Sequence, residues 1–564
     1  MDDNERQTKY IFVTGGVISG IGKGVISASI GTILKAMGID NITIKKLDPY
    51  LNVDPGTMNP VEHGEVYVTD DGAETDLDLG YYERFTGITM SKINSTSSGK
   101  LYTTLLDKER RGEFLGKTVQ IVPHLTNEIK KFIKAGNDVY DVIICEIGGS
   151  IGDIEAMAFY ESLRQLRNEM SESIMFVHVT YLVNYTTTNE IKTKPTQNAI
   201  KELNSAGIYP DILICRTEIY AKVDDSITDK LAMFTNVPKR KIIISPDVDS
   251  IYRVPLILQS QGLDLRISEH FNLLTRAEMK KWRNVCKSIY IASNSEQTVK
   301  IGIIGKYVEF HDSYKSLIEA IMHAGVANGC RVKLVWINSR EEITDKTLGK
   351  IAESDGFVVP GGFGDTGIEN MIRLITAVRK LRSKPLLGIC LGMQLMCIEF
   401  ARNVLKIDAG SAEFGNGSEE VVKVMIDEEK LGGTMRLGSH KVTLENGSYI
   451  SEIYDTQFIS ERHRHRYDVN PEYVEWLERG GLEVSGKSEA GLVESIELSN
   501  IEYLLPRYYI GVQYHPEYKS TPMNPHPLFA ELINRALHRD DHFDGAIDDI
   551  PSTGEVHKTY SLMD

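Results

Sequence analysis

Leu386-Leu387-Gly388-Ile389-Cys390-Leu391-Gly392-Met393-Gln394 is an apolar run broken at a cysteine and resumed as a helical pattern. Leu386 to Ile389 reads as a short buried strand, and Met393 onward as the start of a helix. A strand that turns sharply into a helix leaves the turn residue exposed at the strand's carboxyl end, and glycines on either side let the backbone fold that tightly. A thiol at such an elbow lies near the positive end of a helix, which favours the nucleophilic thiolate. A lone cysteine is more often a buried structural residue. Here, however, His515-Pro516-Glu517 supplies a base and an orienting acid downstream, and Gly361-Gly362 supplies backbone N–H donors upstream.

Gly388 to Gln394 together with His515-Pro516-Glu517 resembles a class I glutamine amidotransferase domain. The resemblance implies a Cys390–His515–Glu517 triad that releases ammonia from glutamine. It implies a glutamine site comprising Gly362, Leu391, Gly392, Met393, Gln394, Glu413 and Arg466. The N–H groups of Gly362 and Leu391 would stabilise an oxyanion, and Glu413 and Arg466 would grip the charges of glutamine. Such a domain fills only the last part of the chain, so the first part is expected to use the ammonia.

The chain has 564 residues, 41% hydrophobic and 25% charged, which is enough for more than one globular domain. Its net charge of −16 argues against non-specific nucleic-acid binding. No apolar run approaches the ~20 residues of a membrane helix, and the polar, acidic start, Met1-Asp2-Asp3-Asn4-Glu5, is unlike a signal peptide. The six cysteines are scattered without a CxxC pair. A reduced cytoplasmic protein without a zinc site is expected.

In the first half, the strand pattern Tyr10 to Thr14 leads into Gly15-Gly16-Val17-Ile18-Ser19-Gly20-Ile21-Gly22-Lys23-Gly24 and a helical pattern from Val25 to Met37. Strand, glycine loop with lysine, then helix is a phosphate cradle. Its spacing departs from GxxxxGK[ST], and glycine follows Lys23 where a hydroxyl residue usually stands. Lys46 ends the next strand pattern. The dense acids of Asp70 to Gly80 offer hard oxygen ligands for Mg²⁺, and Glu146, at the end of the strand pattern Asp141 to Glu146, holds the position of a second ligand. Lys192-Thr193-Lys194-Pro195-Thr196-Gln197 reads as an anion-reading loop. Further strand patterns at Ile174–Val179, Asp211–Cys215 and Lys241–Ser245 alternate with helices, which implies a parallel, doubly wound sheet.

These blocks, with Lys46-Leu47-Asp48-Pro49-Tyr50, Glu62-His63-Gly64-Glu65, Asp76-Leu77-Asp78-Leu79-Gly80 and Gly152-Asp153-Ile154-Glu155, resemble the CTP synthase family over roughly residues 8–540. The resemblance implies an α/β protein of two doubly wound domains. These are a P-loop-like amidoligase domain at 1–268 and the amidotransferase domain at 299–540, joined by a linker at 269–298; the acidic, aperiodic stretch 541–564 lies outside the resemblance and reads as a disordered tail. It implies ATP-dependent amination of UTP to CTP, with glutamine as donor, GTP as activator and CTP as inhibitor. ATP would be held by Ser19, Gly20, Ile21, Gly22, Lys23, Gly24, Lys46 and Asp78, and Mg²⁺ by Asp78 and Glu146. UTP or CTP would be held by Ser19, Asp153, Ile154, Glu155, Lys192, Thr193, Lys194, Pro195, Thr196, Gln197 and Lys230. Arg436, in Leu431 to Gly438, would be the anion contact of a GTP-effect loop. Homotetramers, with filaments formed from them, are implied, and no nucleic-acid or membrane partner. A cobyrinate-type amide synthase is the nearest alternative, against which Lys192 to Gln197 and Glu62 to Glu65 argue. A silent filament-forming scaffold would be marked by loss of Cys390, His515 or Lys23, and all three are present.

Overall fold

The computed structural model describes residues 7–185, 187, 190–218, 223–424, 435–499 and 508–538. The tail read at 541–564 and residues Leu431 to Thr434 of the GTP-effect loop lie outside the described residues.

The first half is built on seven parallel strands. In spatial order they are Ile242–Pro246, Ile212–Thr217, Ile174–Tyr181, Lys9–Gly15, Val142–Ile147, Ile42–Asp48 and Ser95–Ser97. A parallel sheet is covered on both faces, so its strands are near-continuous apolar runs. The alternating side chains of Lys9–Gly15 show this. Ile11 and Val13 pack on one face with Ile26, Ile30 and Ile33 of the helix Lys23–Ala36, while Tyr10 and Phe12 pack on the other with Phe159 and Leu163. The strand order reverses at Lys9–Gly15, which puts the glycine loop at a switch point, where ligands of open α/β sheets bind.

The second half carries a nine-stranded sheet. Arg331–Asn338, Thr298–Gly305, Gly356–Val359, Leu386–Ile389 and Tyr509–Val512 are parallel. Val493–Leu498, Leu482–Ser488, Arg436–Leu444 and Phe458–His465 then extend it antiparallel. The sequence reading anticipated the parallel part except Tyr509–Val512. The run Glu461 to Tyr467, which by composition alone would suit a basic surface strand, lies largely in the strand Phe458–His465, and Arg462, His463 and His465 on it are buried.

Between the sheets lie helices Leu263–Phe271 and Lys280–Ser293. Trp282 of the latter packs with the first core and donates to Tyr252 O at 2.7 Å. Among the described residues no helix is long and apolar enough to cross a membrane.

Candidate active sites

Cys390 stands between strand Leu386–Ile389 and helix Leu391–Asn403 with φ 52° and ψ −106°. This is a costly conformation for a residue with a side chain, and such strain concentrates at functional positions. The elbow closes because its neighbours lack side chains. A Cβ at Gly392 would overlap Val359 O, and one at Gly388 would overlap the Met396 sulfur. His515 Nδ1 donates to Glu517 Oε1 at 2.8 Å, and Nε2 makes no other hydrogen bond. Burial pushes the imidazole pKa down, but Glu517 and the Cys390 sulfur outweigh it and hold it up to about 10. The shift favours the imidazolium, which would be a proton donor beside Cys390. Main chain frames the pair: His515 N donates to Arg462 O at 2.8 Å, and Cys390 Sγ lies 3.7 Å from Arg464 O. The Tyr518 ring stacks on His515 at 5.2 Å.

These groups open into a cavity of about 410 Å³ that Gly362, Glu413 and Arg466 also line. Glu413 Oε1 accepts from Gly364 N at 2.8 Å, and burial raises its pKa. Leu391 opens its helix, so its N–H has no intrahelical acceptor. The structure does not bring Leu391, Gly392, Met393 or Gln394 to the cavity wall. Gln394 is buried behind it, donating to Tyr467 O at 2.8 Å and to Gln513 Oε1 at 3.2 Å, and Gln513 reaches Cys390 Sγ at 3.7 Å. One contributor carried no assigned role in the sequence. Lys306 donates to the carbonyls of Phe363 and Gly364 and so pins the oxyanion loop. Burial pushes its pKa down to about 8. Its signal was a lysine at the end of an apolar strand pattern.

The second cavity, about 1180 Å³, is lined by the loop Ser19–Gly24 with Lys46, Asp78, Glu146 and Glu155. Lys23 Nζ donates to Gly149 O at 2.6 Å, and burial lowers its pKa. Lys46 Nζ sits 2.7 Å from both Asp48 and Asp78; burial works against its charge, but these carboxylates prevail and raise its pKa. Glu146 accepts from Tyr82 OH at 2.5 Å. Burial, then Asp78, pushes it up to about 7. The glycine after Lys23 has a steric reason: a Cβ at Gly24 would overlap Asp78 Oδ1, so a carboxylate stands where the usual loop places a hydroxyl. Among the described residues no three His, Cys, Asp or Glu side chains are gathered to hold a metal by themselves.

Other residues read from the sequence lie apart from this cavity. Asp153 Oδ2 accepts from Ser150 N at 2.6 Å, and Ile154 is 86% exposed. Lys192 to Gln197 is not a loop. Lys192 ends the hairpin strand Glu190–Lys192, Thr193 precedes helix Lys194–Ser205, and Pro195 occupies its first turn, where a missing N–H costs nothing. Lys192 pairs with Glu190 at 2.5 Å, the buried Thr196 hydroxyl bonds Thr180 and Tyr181 O, and Gln197 bonds Thr193. Lys194 and Gln197 line a separate hollow, and Lys230 is exposed on helix Asp225–Thr235. Arg436 is not a free anion contact: it donates to the buried Glu494 at 2.5 Å, and Glu494 also bonds His463.

The acids of Asp70 to Gly80 divide between two tasks. Asp76 and Asp78 face Lys46, whereas Asp70 and Glu74 bind Arg462 and Arg464 of the second half at 2.5 and 2.8 Å. Glu65 likewise crosses over, accepting from Ser316 N at 2.8 Å; burial pushes its carboxyl up to about 7.

Residues 9–273 match the family described as CTP synthase N-terminus, and residues 309–535 the family described as glutamine amidotransferase class-I. The CTP synthase of Hydrogenobaculum is 48% identical over 537 residues, 94% of this chain and 98% of its own. That of Bacillus subtilis is 46% identical, covering 94% and 99%, and that of Methanococcus maripaludis 47%, covering 94% and 100%. A solved structure titled as the glutaminase domain of Trypanosoma brucei CTPS with bound acivicin is 34% identical. It covers 43% of this chain and 95% of that one with a TM-score of 0.40, and no weight rests on it. With relatives this similar along almost its whole length, the chain belongs to the CTP synthase family.

Proposed function

We propose that this chain makes CTP from UTP and ATP, using ammonia that it releases from glutamine. The observation that carries the proposal is the pairing of a complete Cys390–His515–Glu517 site with a lysine-lined phosphate cavity, the two sharing the segment around Pro60 as a wall.

In the thiol site Cys390 attacks the glutamine carbonyl carbon, forming a C–S bond while the oxygen turns toward the N–H groups of Gly362 and Leu391. His515 gives its proton to the departing nitrogen, so ammonia leaves and a thioester remains. Water, deprotonated by His515, then releases glutamate. Glu517 keeps the imidazole oriented and favours its charged form. Glu413 and Arg466 are the groups of opposite charge to the amino and carboxylate ends of glutamine.

In the second site the uracil O4 takes the terminal phosphoryl group of ATP, and ammonia displaces that phosphate from C4. Such a transfer needs alignment and charge neutralisation, which Lys23 and Lys46 supply. Asp78 and Glu146 would hold Mg²⁺ here, and the ion would neutralise charge on the transferring phosphoryl group. The fit rests on the chemistry of the donor set, the carboxylates of Asp78 and Glu146 lining one cavity, and on the buried Asp48 Oδ2, which has no partner. Ammonia would protonate in bulk water, so transfer past the wall at Pro60 to Val66 is part of the proposal.

Binding of UTP and CTP by Asp153, Ile154, Glu155, Lys192 to Gln197 and Lys230, GTP activation, CTP inhibition, homotetramers with filaments and a cytoplasmic location belong to the same proposal, on resemblance. The test is direct: the purified chain with UTP, ATP, Mg²⁺ and glutamine is expected to yield CTP by chromatography, and no CTP under those conditions would refute the proposal.

A further inference from the structure

Helix Asp78–Thr86 reaches both sites. Its first residue, Asp78, lies 2.7 Å from Lys46, and one turn on Tyr82 donates to Glu146. The next residue, Glu83, projects about 100° away around the helix and faces the second half. There its carboxylate accepts from Arg462 Nη2 at 2.9 Å, from Tyr67 OH at 2.6 Å and from Met90 N at 2.8 Å.

The Arg462 side chain is 3% exposed, and its bonds all run to the first half: to Asp70 Oδ1, to Tyr67 OH at 2.7 Å, to Val68 O at 3.2 Å and to Glu83. Its carbonyl turns the other way and accepts the His515 N–H at 2.8 Å. Two residues along, Arg464 repeats the arrangement, with its side chain on Glu74 and its carbonyl beside Cys390 Sγ. One strand therefore frames the reacting pair with its main chain while its alternate side chains are held by the other half of the molecule.

We infer that Arg462 is a positioning residue that ties the stance of His515 to the ligand state of the phosphate site, acting through helix Asp78–Thr86; this rests on the function proposed above. Lys46 and Asp78 neutralise each other in the structure, and Tyr82 holds Glu146 by a hydrogen bond. A bound polyphosphate with its cation competes for Lys46 and for both carboxylates, and so changes what holds the start of the helix. The guanidinium network at Glu83 is buried and charge-paired, so it resists slackening and passes a shift of the helix to the strand. Lysine cannot replace it, because one ammonium does not span Asp70, Tyr67 and Glu83 as a planar fork does.

The experiment measures glutamate release by the full chain with and without ATP, UTP and Mg²⁺, and CTP formation from ammonium salt, in wild type, Arg462→Lys, Glu83→Gln and the double variant. Nucleotide is expected to stimulate wild-type glutamine hydrolysis. Each single variant should lose about tenfold of that stimulation, within the range usual for coupled sites. The double variant should lose no more than either single one, because the two residues act in series. Ammonium-driven synthesis should be retained. If hydrolysis falls by the same factor with and without nucleotide, Arg462 only supports His515 locally and the inference is overturned. Equal loss of ammonium-driven synthesis overturns it too, since Arg462 would then merely hold the halves together. Should Arg462→Lys fail to fold, Glu83→Gln, which keeps the side chain's shape and its acceptor for Met90 N, decides alone. A wild type that makes no CTP overturns the proposed function and this inference with it; one that makes CTP beside variants with full stimulation overturns the inference only.

Discussion

The thiol site and the phosphate site differ in how much of their chemistry the chain itself contains. Around Cys390 the reacting groups are assembled in a cavity of about 410 Å³, with His515 already held by Glu517. Around Lys23 the cavity is about 1180 Å³, and its charges are paired with one another, Lys46 with Asp48 and Asp78. The first site supplies a nucleophile and a proton. The second supplies only charge and alignment, so its ligands must compete with contacts that these groups make with one another. Losing a group should accordingly be near-total in one site and graded in the other.

The largest effect is expected for Cys390→Ala. Glutamine-dependent CTP synthesis should fall by ~10⁴-fold or more, as it generally does when a nucleophile is removed, while synthesis from ammonium salt persists. A paired assay with the two nitrogen donors checks this, and loss of both activities in a folded variant would show that the sites are not separable. Lys23→Ala sharpens the contrast from the other side. CTP formation from either donor should drop by ~10²–10³-fold, the range for loss of one preorganised charge or donor, while nucleotide-free glutamine hydrolysis continues. Near-normal ammonium-driven synthesis would break the phosphate-site assignment.

Both sites were legible at the level of motif because their signals are local. The elbow cysteine, the His-Pro-Glu triplet and the glycine loop each sit within a few residues; the structure places the cysteine and the glycine loop at the ends of the strands read for them, and the triplet after Tyr509–Val512, a strand not read from the sequence. What was not legible depends on partners distant in sequence. The Arg/His run looks like a basic surface strand until Asp70, Glu74 and Glu83 are brought against it, from nearly 400 residues away. Lys192 to Gln197 has a loop-like composition, and only the contact of Thr196 with Thr180 and Tyr181 shows it as the start of a packed helix. In the antiparallel half of the second sheet only the Arg/His run carried an expectation; Arg436–Leu444, Leu482–Ser488 and Val493–Leu498 mix apolar with charged and hydroxyl residues without a clean alternation.

Protonation separates the sites further. His515 is held up to about 10 by Glu517 and Cys390 against the effect of burial, whereas a free imidazole titrates near ~6.5. The raised value means that the proton donated to ammonia is kept until pH climbs through about 10. Nucleotide-free glutaminase activity should therefore lose its alkaline limb only there. Glu517→Gln should move that limb to lower pH and cost roughly 10²–10⁴-fold in rate. An unmoved limb would assign it to another group. The smallest effect is expected for Gly24→Ser, which restores the usual loop hydroxyl. Because Asp78 occupies that space, CTP synthesis should fall by about tenfold, one preorganised contact's loss at the low end; a gain in rate would contradict the steric account.

The central claim is that one molecule passes nitrogen from the first kind of site to the second. Supply wild-type chain with UTP, ATP, Mg²⁺ and glutamine labelled with ¹⁵N in its amide, in the presence of excess unlabelled ammonium at a pH where little of it is free NH₃, and determine the mass of the CTP formed. The label is expected in the exocyclic amine of CTP with little dilution, because ammonia released at Cys390 does not mix with the solution before reaching the uracil. CTP carrying nitrogen at the isotopic ratio of the bulk ammonium, or no CTP at all, would contradict it.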